Sequence, residues 1–176
     1  MIYIQKNVSL KSYNTFAVDV QTDFFVEVKY EQEIFDLIST DVFASQPHLI
    51  LGGGANILFT KDYHGLIIKN SLMGKTIIKE ENNLVYVNIW AGENWHETMM
   101  WSLEQWFVWG ENLVLIPGNV WSAPVGNIGA YGKEAKDIIY EVEGIDLTTG
   151  QKKTRSNSAC AFGYRDSIFK NTLKNK

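Results

Sequence analysis

One cysteine, three histidines and three prolines are all that this 176-residue chain holds of those types. The lone Cys160 can close no internal disulfide and build no cysteine-based metal cluster, which fits a reducing, cytoplasmic setting. His48, His64 and His96 are scattered, without the i, i+4 spacing of a helical metal site, so no metal is expected. Lysine and arginine total 16 against 20 acidic residues, a formal net charge of −4 with no basic run. Neither nucleic acid nor an anionic membrane surface is therefore expected as a partner. No apolar run approaches the ~20 residues of a membrane span. Lys6, Ser9, Lys11 and Asn14 interrupt the stretch Met1 to Phe16, where a secretory signal needs an unbroken apolar core.

What is present describes a folded domain: 45% of residues are hydrophobic and 20% charged, far from the low-hydropathy, high-charge signature of disorder. Phe24 to Val28 reads as a strand and Glu31 to Ser39 as a helix, with Ile34, Leu37 and Ile38 at helical spacing. The short apolar runs His48–Leu51 and Leu66–Ile68 read as strands around a loop. Thr76–Ile78 and Leu84–Ile89 read as a pair around Glu80-Glu81-Asn82-Asn83, whose asparagines suit a hairpin turn. Asn94 and Glu97 form a capping-box-like start to a helix, with Trp95, Met99, Leu103 and Trp106 on one face. Gly110 to Gly132 carries many glycines and little periodicity, the mark of an irregular, ligand-facing segment. Tyr140–Leu147 returns to strand character before a turn at Thr148-Thr149-Gly150. The class is α+β, strands outnumbering helices, with an expected division into residues 1–69 and 70–176.

Three segments could carry chemistry. In Gly52-Gly53-Gly54-Ala55-Asn56-Ile57, consecutive glycines can turn their amides to one side as a nest for an anion. A tight turn between strands would use the same glycines, and the spacing fits neither the dinucleotide fingerprint nor the phosphate-binding loop of nucleotide hydrolases. In the second, from Glu111 through Gly118 to Gly132, a rigid backbone with few charges can lie against a planar ring and offer polar groups to its edge, or simply form a packed loop. The third is Phe162 to Lys170. Its Arg165 sits among aromatic and apolar residues, where a guanidinium fork can grip a carboxylate, unless Asp166 pairs with it locally. Cys160 and the strip Trp95, Met99, Leu103 read as core, and Glu80 and Glu81 as a solvated turn.

Asn14-Thr15-Phe16, the glycine triplet through Phe59, Ala91 to His96, Glu111-Asn112-Leu113, Leu115 to Gly118, Asn127 to Gly132 and Phe162 to Lys170 occur together in order. In this the chain, from about Lys11 to Lys170, resembles the UDP-N-acetylenolpyruvoylglucosamine reductases. The resemblance implies a vanillyl-alcohol-oxidase-type FAD fold, in which two α+β subdomains clamp a cofactor. Gly52, Gly53, Gly54, Ala55, Asn56 and Ile57 would hold the FAD pyrophosphate, and Gly118, Asn127, Ile128 and Gly129 would line the flavin. FAD would be bound non-covalently, since no His or Cys stands beside these segments. In that family NADPH reduces FAD, and the flavin then delivers hydride to a UDP-sugar enolpyruvyl ether. Arg165, beside Tyr164 in the substrate-binding motif, matches the arginine that, with a glutamate, stabilises charge developing on the substrate carboxylate.

Two departures qualify that likeness. The family's catalytic serine and glutamate lie beyond the segment matching Phe162–Lys170, so the chain reads as lacking a substrate domain, and Ser167 is not the missing acid. A different FAD oxidoreductase of the same fold, or a non-catalytic flavin-binding remnant, are the competing readings. Secondly, Trp90, Trp106, Trp109 and Trp121 stand where such reductases usually carry glycine. Ala17 and Gly126 stand where glycine and glutamine are usual. A UGA codon that means glycine in one genetic code and tryptophan in another would produce one-way changes of this kind.

Overall fold

The computed structural model describes residues 2–108 and 110–174, and the chain divides into two compact units, Met1–Met73 and Gly74–Lys176. Trp109 lies outside the described residues.

The first unit is built on strands β1 (Gln5–Ser9), β2 (Gln21–Val28), β3 (His48–Leu51) and β4 (Tyr63–Asn70), in the order β1-β2-β4-β3. β1 pairs antiparallel with β2, while β2 and β3 both pair parallel with β4. β4 is central and apolar because both its faces are covered, Gly65 to Ile68 all being buried. Helices α1 (Glu31–Ile38) and α2 (Asp41–Ser45) carry the chain from β2 to β3. The Glu33 carboxylate caps α1 by accepting from the Lys29 and Tyr30 amides at 2.7 and 3.0 Å. Leu10, Val20, Phe25, Leu51, Phe59 and Ile67 form one core cluster. β4 runs to Asn70, and Ser71 still donates to Val28 O at 2.9 Å, so this unit closes only past β4.

The second unit opens with the hairpin β5 (Lys75–Glu81) and β6 (Leu84–Ile89). Asn82 and Asn83 turn it with φ of +53° and +62°, the left-handed pair that a two-residue hairpin of this twist demands and asparagine tolerates. Asn94 Oδ1 accepts from Glu97 N at 3.0 Å and starts α3 (Trp95–Glu104). α3 then packs Trp95 and Met99 against Leu113, Ala123 and Ala135. The helix stops at Glu104, and Trp106, expected on its buried face, is instead 90% exposed. Short elements follow: α4 (Ser122–Gly126), then β7 (Gly129–Ala130) paired with β8 (Lys133–Glu134). The segment 110–132 is thus largely irregular, as its composition implies, with a 3-10 turn at Glu111–Leu113 besides α4 and β7. Last comes the hairpin β9 (Glu141–Asp146) and β10 (Gln151–Ser156). β10, with Lys152, Lys153 and Arg155, has no apolar alternation to announce it; Asp146 creates it by closing the turn. Its Oδ1 accepts from the Thr148 and Thr149 amides at 3.0 and 3.2 Å, and its Oδ2 accepts from Lys153 Nζ at 2.7 Å.

Candidate functional site

The glycine triplet leaves β3 as an irregular turn between parallel neighbours. Gly54 has φ +64°, and a Cβ there would stand 2.0 Å from Tyr13 O and 2.9 Å from Asn14 Cα. Only glycine fits both the backbone angle and that approach. The wall it packs on is made rigid by Asn14, 6% exposed, which donates to Leu10 O and Val18 O at 2.7 and 3.0 Å and accepts from Val18 N at 3.0 Å. Thr15 N in turn donates to Gly54 O at 3.2 Å. Among the described residues, the amides of Gly53, Gly54, Ala55 and Asn56 donate no hydrogen bond, the buried Gly54 included, while Ile57 follows in a turn begun at Gly54. The segment 52–60 carries no acidic side chain. Unpaired peptide donors in an uncharged turn of this kind suit an anion such as a pyrophosphate, which would accept from several of them at once. The Asn56 side chain is exposed beside them and Ile57 is half-buried.

In the second unit the segment 91–95 is zipped to 118–121. Trp95 N donates to Gly118 O at 3.0 Å, Val120 N to Glu93 O at 2.9 Å and Trp121 N to Ala91 O at 3.0 Å. The Asn119 side chain donates to Gly92 O. Gly118 has φ +116°. Asn127 caps α4 in the left-handed conformation, φ +41° and ψ +61°, which asparagine adopts more readily than other non-glycine residues. It is fully buried, donating Nδ2–H to Gly163 O at 2.8 Å and accepting from Lys136 N at 3.0 Å. Its side chain is therefore committed to protein partners, and its amide donates to Pro124 O at 3.4 Å, so Asn127 supports the segment from behind. Ile128 uses both backbone groups, with Ala123 O at 3.1 Å and Ala135 N at 2.7 Å. At Gly129 a Cβ would meet Lys133 O at 2.7 Å, so the β7–β8 pairing itself demands glycine.

Arg165 occupies the left-handed place, φ +55°, in a two-residue turn closed by Gly163 N to Asp166 O at 2.9 Å and Asp166 N to Gly163 O at 3.2 Å. Its guanidinium is exposed and donates from Nη2 to Gly129 O at 3.2 Å. Asp166 does not pair with it but accepts from Asn171 Nδ2 at 2.9 and 3.0 Å, so the fork keeps donors free for an external carboxylate. Tyr164 beside it is 86% exposed. The structure thus brings Gly129, Asn127 and Arg165 together. Ser167 is 1% exposed and donates to Val125 O at 2.8 Å, a structural placement. Cys160 is buried among protein atoms, and that burial, against a smaller opposing effect of Arg155, pushes its thiol above the ordinary range, the reverse of an activated nucleophile.

The tryptophans separate into different cases. Trp106 follows α3 with φ +61°; its amide donates to Leu103 O and that of Phe107 to Ser102 O, each at 2.9 Å. This pair of bonds around a left-handed residue is the Schellman ending, whose left-handed position strongly favours glycine. Ala17, with φ +52°, is a second non-glycine residue in the left-handed region. Trp121 has ordinary helical angles, φ −57° and ψ −31°, and Trp90 is absent from the positive-φ residues, so neither backbone requires glycine. A Cβ on Gly126 would meet nothing within 4 Å, room for the side chain usual at that place.

Sequence reasoning overlooked Glu93 and Asn157. Glu93 is 6% exposed and accepts from Gly74 N and Lys75 Nζ, both at 2.7 Å. Asn157 donates to Lys136 O and Ile139 O at 2.8 and 2.7 Å. Glu93 falls inside the segment Ala91 to His96 that carries the resemblance, where no spacing marks its role, and Asn157 falls outside every such segment. Among the described residues no group of His, Cys, Asp and Glu could hold a metal ion, and no helix is long and apolar enough to cross a membrane.

Comparison with known proteins adds the following. Residues 22–154 match the family described as FAD binding domain. The UDP-N-acetylenolpyruvoylglucosamine reductase of Flavobacterium johnsoniae is 44% identical over 98% of this chain and 51% of its own length. That of Pseudomonas putida is 40% identical over 94% of this chain and 49% of its own length. The chain thus spans about half the length of these curated relatives. The crystal structure of the UDP-N-acetylenolpyruvylglucosamine reductase from Thermus caldophilus superposes with a TM-score of 0.73 at 20% identity, over 95% of this chain and 57% of that one.

Proposed function

We propose, from the premise that this chain belongs to the FAD binding domain family, that it is the flavin-holding part of an enzyme that reduces a UDP-sugar enolpyruvyl ether with NADPH, in cell-wall precursor synthesis. The observation that carries the reading is the run of amides from residue 53 to residue 56 without acceptors, held open by Gly54 against Tyr13 and Asn14. Gly53, Gly54, Ala55 and Asn56 would offer those donors to the cofactor's pyrophosphate, with Gly52 and Ile57 flanking them. Gly118, Ile128 and Gly129 would border the flavin, with the buried Asn127 behind them, their conformation fixed by the bonds to residues 91–95 and 135–136. When bound, FAD supplies the hydride chemistry, accepting from NADPH and giving to the vinyl carbon of the substrate. Arg165 grips the substrate carboxylate through its fork and counters the negative charge that grows there as hydride arrives, while the exposed Tyr164 lies at the same site.

The names of the relatives point to this substrate, and the left-handed placement of Arg165 on Gly129 O supports its role. The test is Arg165→Lys in a chain extended to the relatives' full length. It keeps the charge and loses the fork. Stopped-flow measurement is expected to show reduction by NADPH unchanged and transfer to the enolpyruvyl substrate slowed by about a hundredfold. Equal slowing of both half-reactions, or of neither, contradicts the role.

A further inference from the structure

The turn bearing Arg165 does not hold itself. A two-residue turn with a non-glycine residue at φ +55° is strained in isolation, yet here it is fastened to the segment Val125–Gly129 at three levels. Ser167 Oγ donates to Val125 O at 2.8 Å, Asn127 Nδ2 to Gly163 O at 2.8 Å and Arg165 Nη2 to Gly129 O at 3.2 Å. Two of the three side chains are nearly inaccessible, Asn127 at 0% and Ser167 at 1%. Each donates to a distant segment, over 36 and 42 residues of sequence, while Ser167 Oγ also accepts from Phe169 N at 3.2 Å and Asn127 Oδ1 from Lys136 N at 3.0 Å. Gly163 O, the acceptor that closes the turn with Asp166 N, is the same atom that Asn127 holds. A buried hydroxyl and a buried carboxamide spent on two backbone carbonyls stabilise one placement of the turn over others, because leaving either unpaired is costly.

We infer that Asn127 and Ser167 are positioning residues for Arg165: they carry its turn on the flavin-bordering backbone, so that the guanidinium and the bound flavin keep one fixed register. The inference rests on the reading of Ile128 and Gly129 as flavin-bordering and of Arg165 as the carboxylate grip. Asn127 is then a hinge pin rather than a ligand, and Ser167 acts through Arg165 rather than as an acid.

The chain has two arginines, Arg155 and Arg165, so labelling arginine guanidinium nitrogens in the 176-residue chain gives a spectrum with one reporter and one internal control, assigned with Arg165→Lys. Ser167→Ala removes the bond to Val125 together with the local one from Phe169 N, which lies outside the Arg165 turn. Asn127→Gly removes both carboxamide bonds while keeping a residue at ease with positive φ. In each variant the Gly163 and Asp166 amides are expected to exchange about tenfold faster, and the Arg165 signals to move toward those of free arginine. Arg155 and the Val120 and Trp95 amides should stay at wild-type values. Saturating FAD should shift the Arg165 signals in the wild type, and by less than half as much in Ser167→Ala at similar FAD affinity. Arg165 signals unmoved in both variants overturn the inference, as does loss of protection at Val120 and Trp95 as large as at Gly163, which would make the bonds general scaffolding. A wild-type chain that fails to bind FAD sinks the flavin reading, while faster exchange confined to the Arg165 turn still upholds the fastening.

Discussion

The carbonyl of Tyr13 lies where the side chain of Gly54 would begin, 2.0 Å from the position of a Cβ. That contact, together with φ +64°, makes Gly54 the residue on which the amide-lined turn depends. Gly54→Ala is expected to cost about 1–2 kcal/mol for the left-handed backbone and about 1–3 kcal/mol for overpacking. Urea unfolding checks the stability, and flavin titration should show weakened FAD binding. A variant as stable as the wild type would mean that the close approach relaxes without cost.

Trp106→Gly should do the opposite. The Schellman ending of α3 holds Trp106 at φ +61° with its indole 90% exposed, so little packing is lost and roughly 1–2 kcal/mol of backbone strain is relieved. A raised melting temperature checks this. Trp121→Gly gains no such relief, because its angles are ordinary. The nucleotide sequence provides an independent check on the tryptophans: UGA codons at Trp90, Trp106, Trp109 and Trp121 are expected if these are glycine positions. UGG there with no UGA in the gene excludes a decoding origin.

The Asp146 carboxylate at the β9–β10 turn is held down to about 2, first by Lys153 and then by the Thr148 and Thr149 amides. Because its folded value lies below the unfolded one of about 3.9, its contribution is complete well above pH 4 and is lost as pH falls through about 2. A carboxyl-carbon NMR titration should place the Asp146 midpoint near 2, and Asp146→Asn should flatten the acid limb of the stability profile. A midpoint near 4 would contradict the hydrogen-bonded turn.

The strands His48–Leu51 and Leu84–Ile89, the helix beginning after Asn94 and the Asn82-Asn83 turn were legible because each is decided locally, by periodicity, a cap or a left-handed asparagine. β10 was not, since a lysine-rich ribbon strand is selected by the Asp146 turn and not by apolar alternation. Trp106 misled because its spacing continues the apolar face of α3, while the helix ends two residues earlier and turns the indole outward. At the site, the glycines could be read as a turn or an anion nest from sequence. What favours the second, as proposed above, is the set of unpaired amides, a property of three-dimensional pairing. The burial of Asn127 and Ser167 was equally invisible, because their partners are 36 and 42 residues away.

Binding of FAD to the 176-residue chain itself tests the central claim most directly. A thermal melt with and without FAD, at about a hundredfold over the dissociation constant found by flavin-fluorescence titration, should show stabilisation of roughly 2.7 kcal/mol. Gly54→Ala should diminish that gain. No saturable fluorescence change and a melt unmoved by excess FAD would contradict the account.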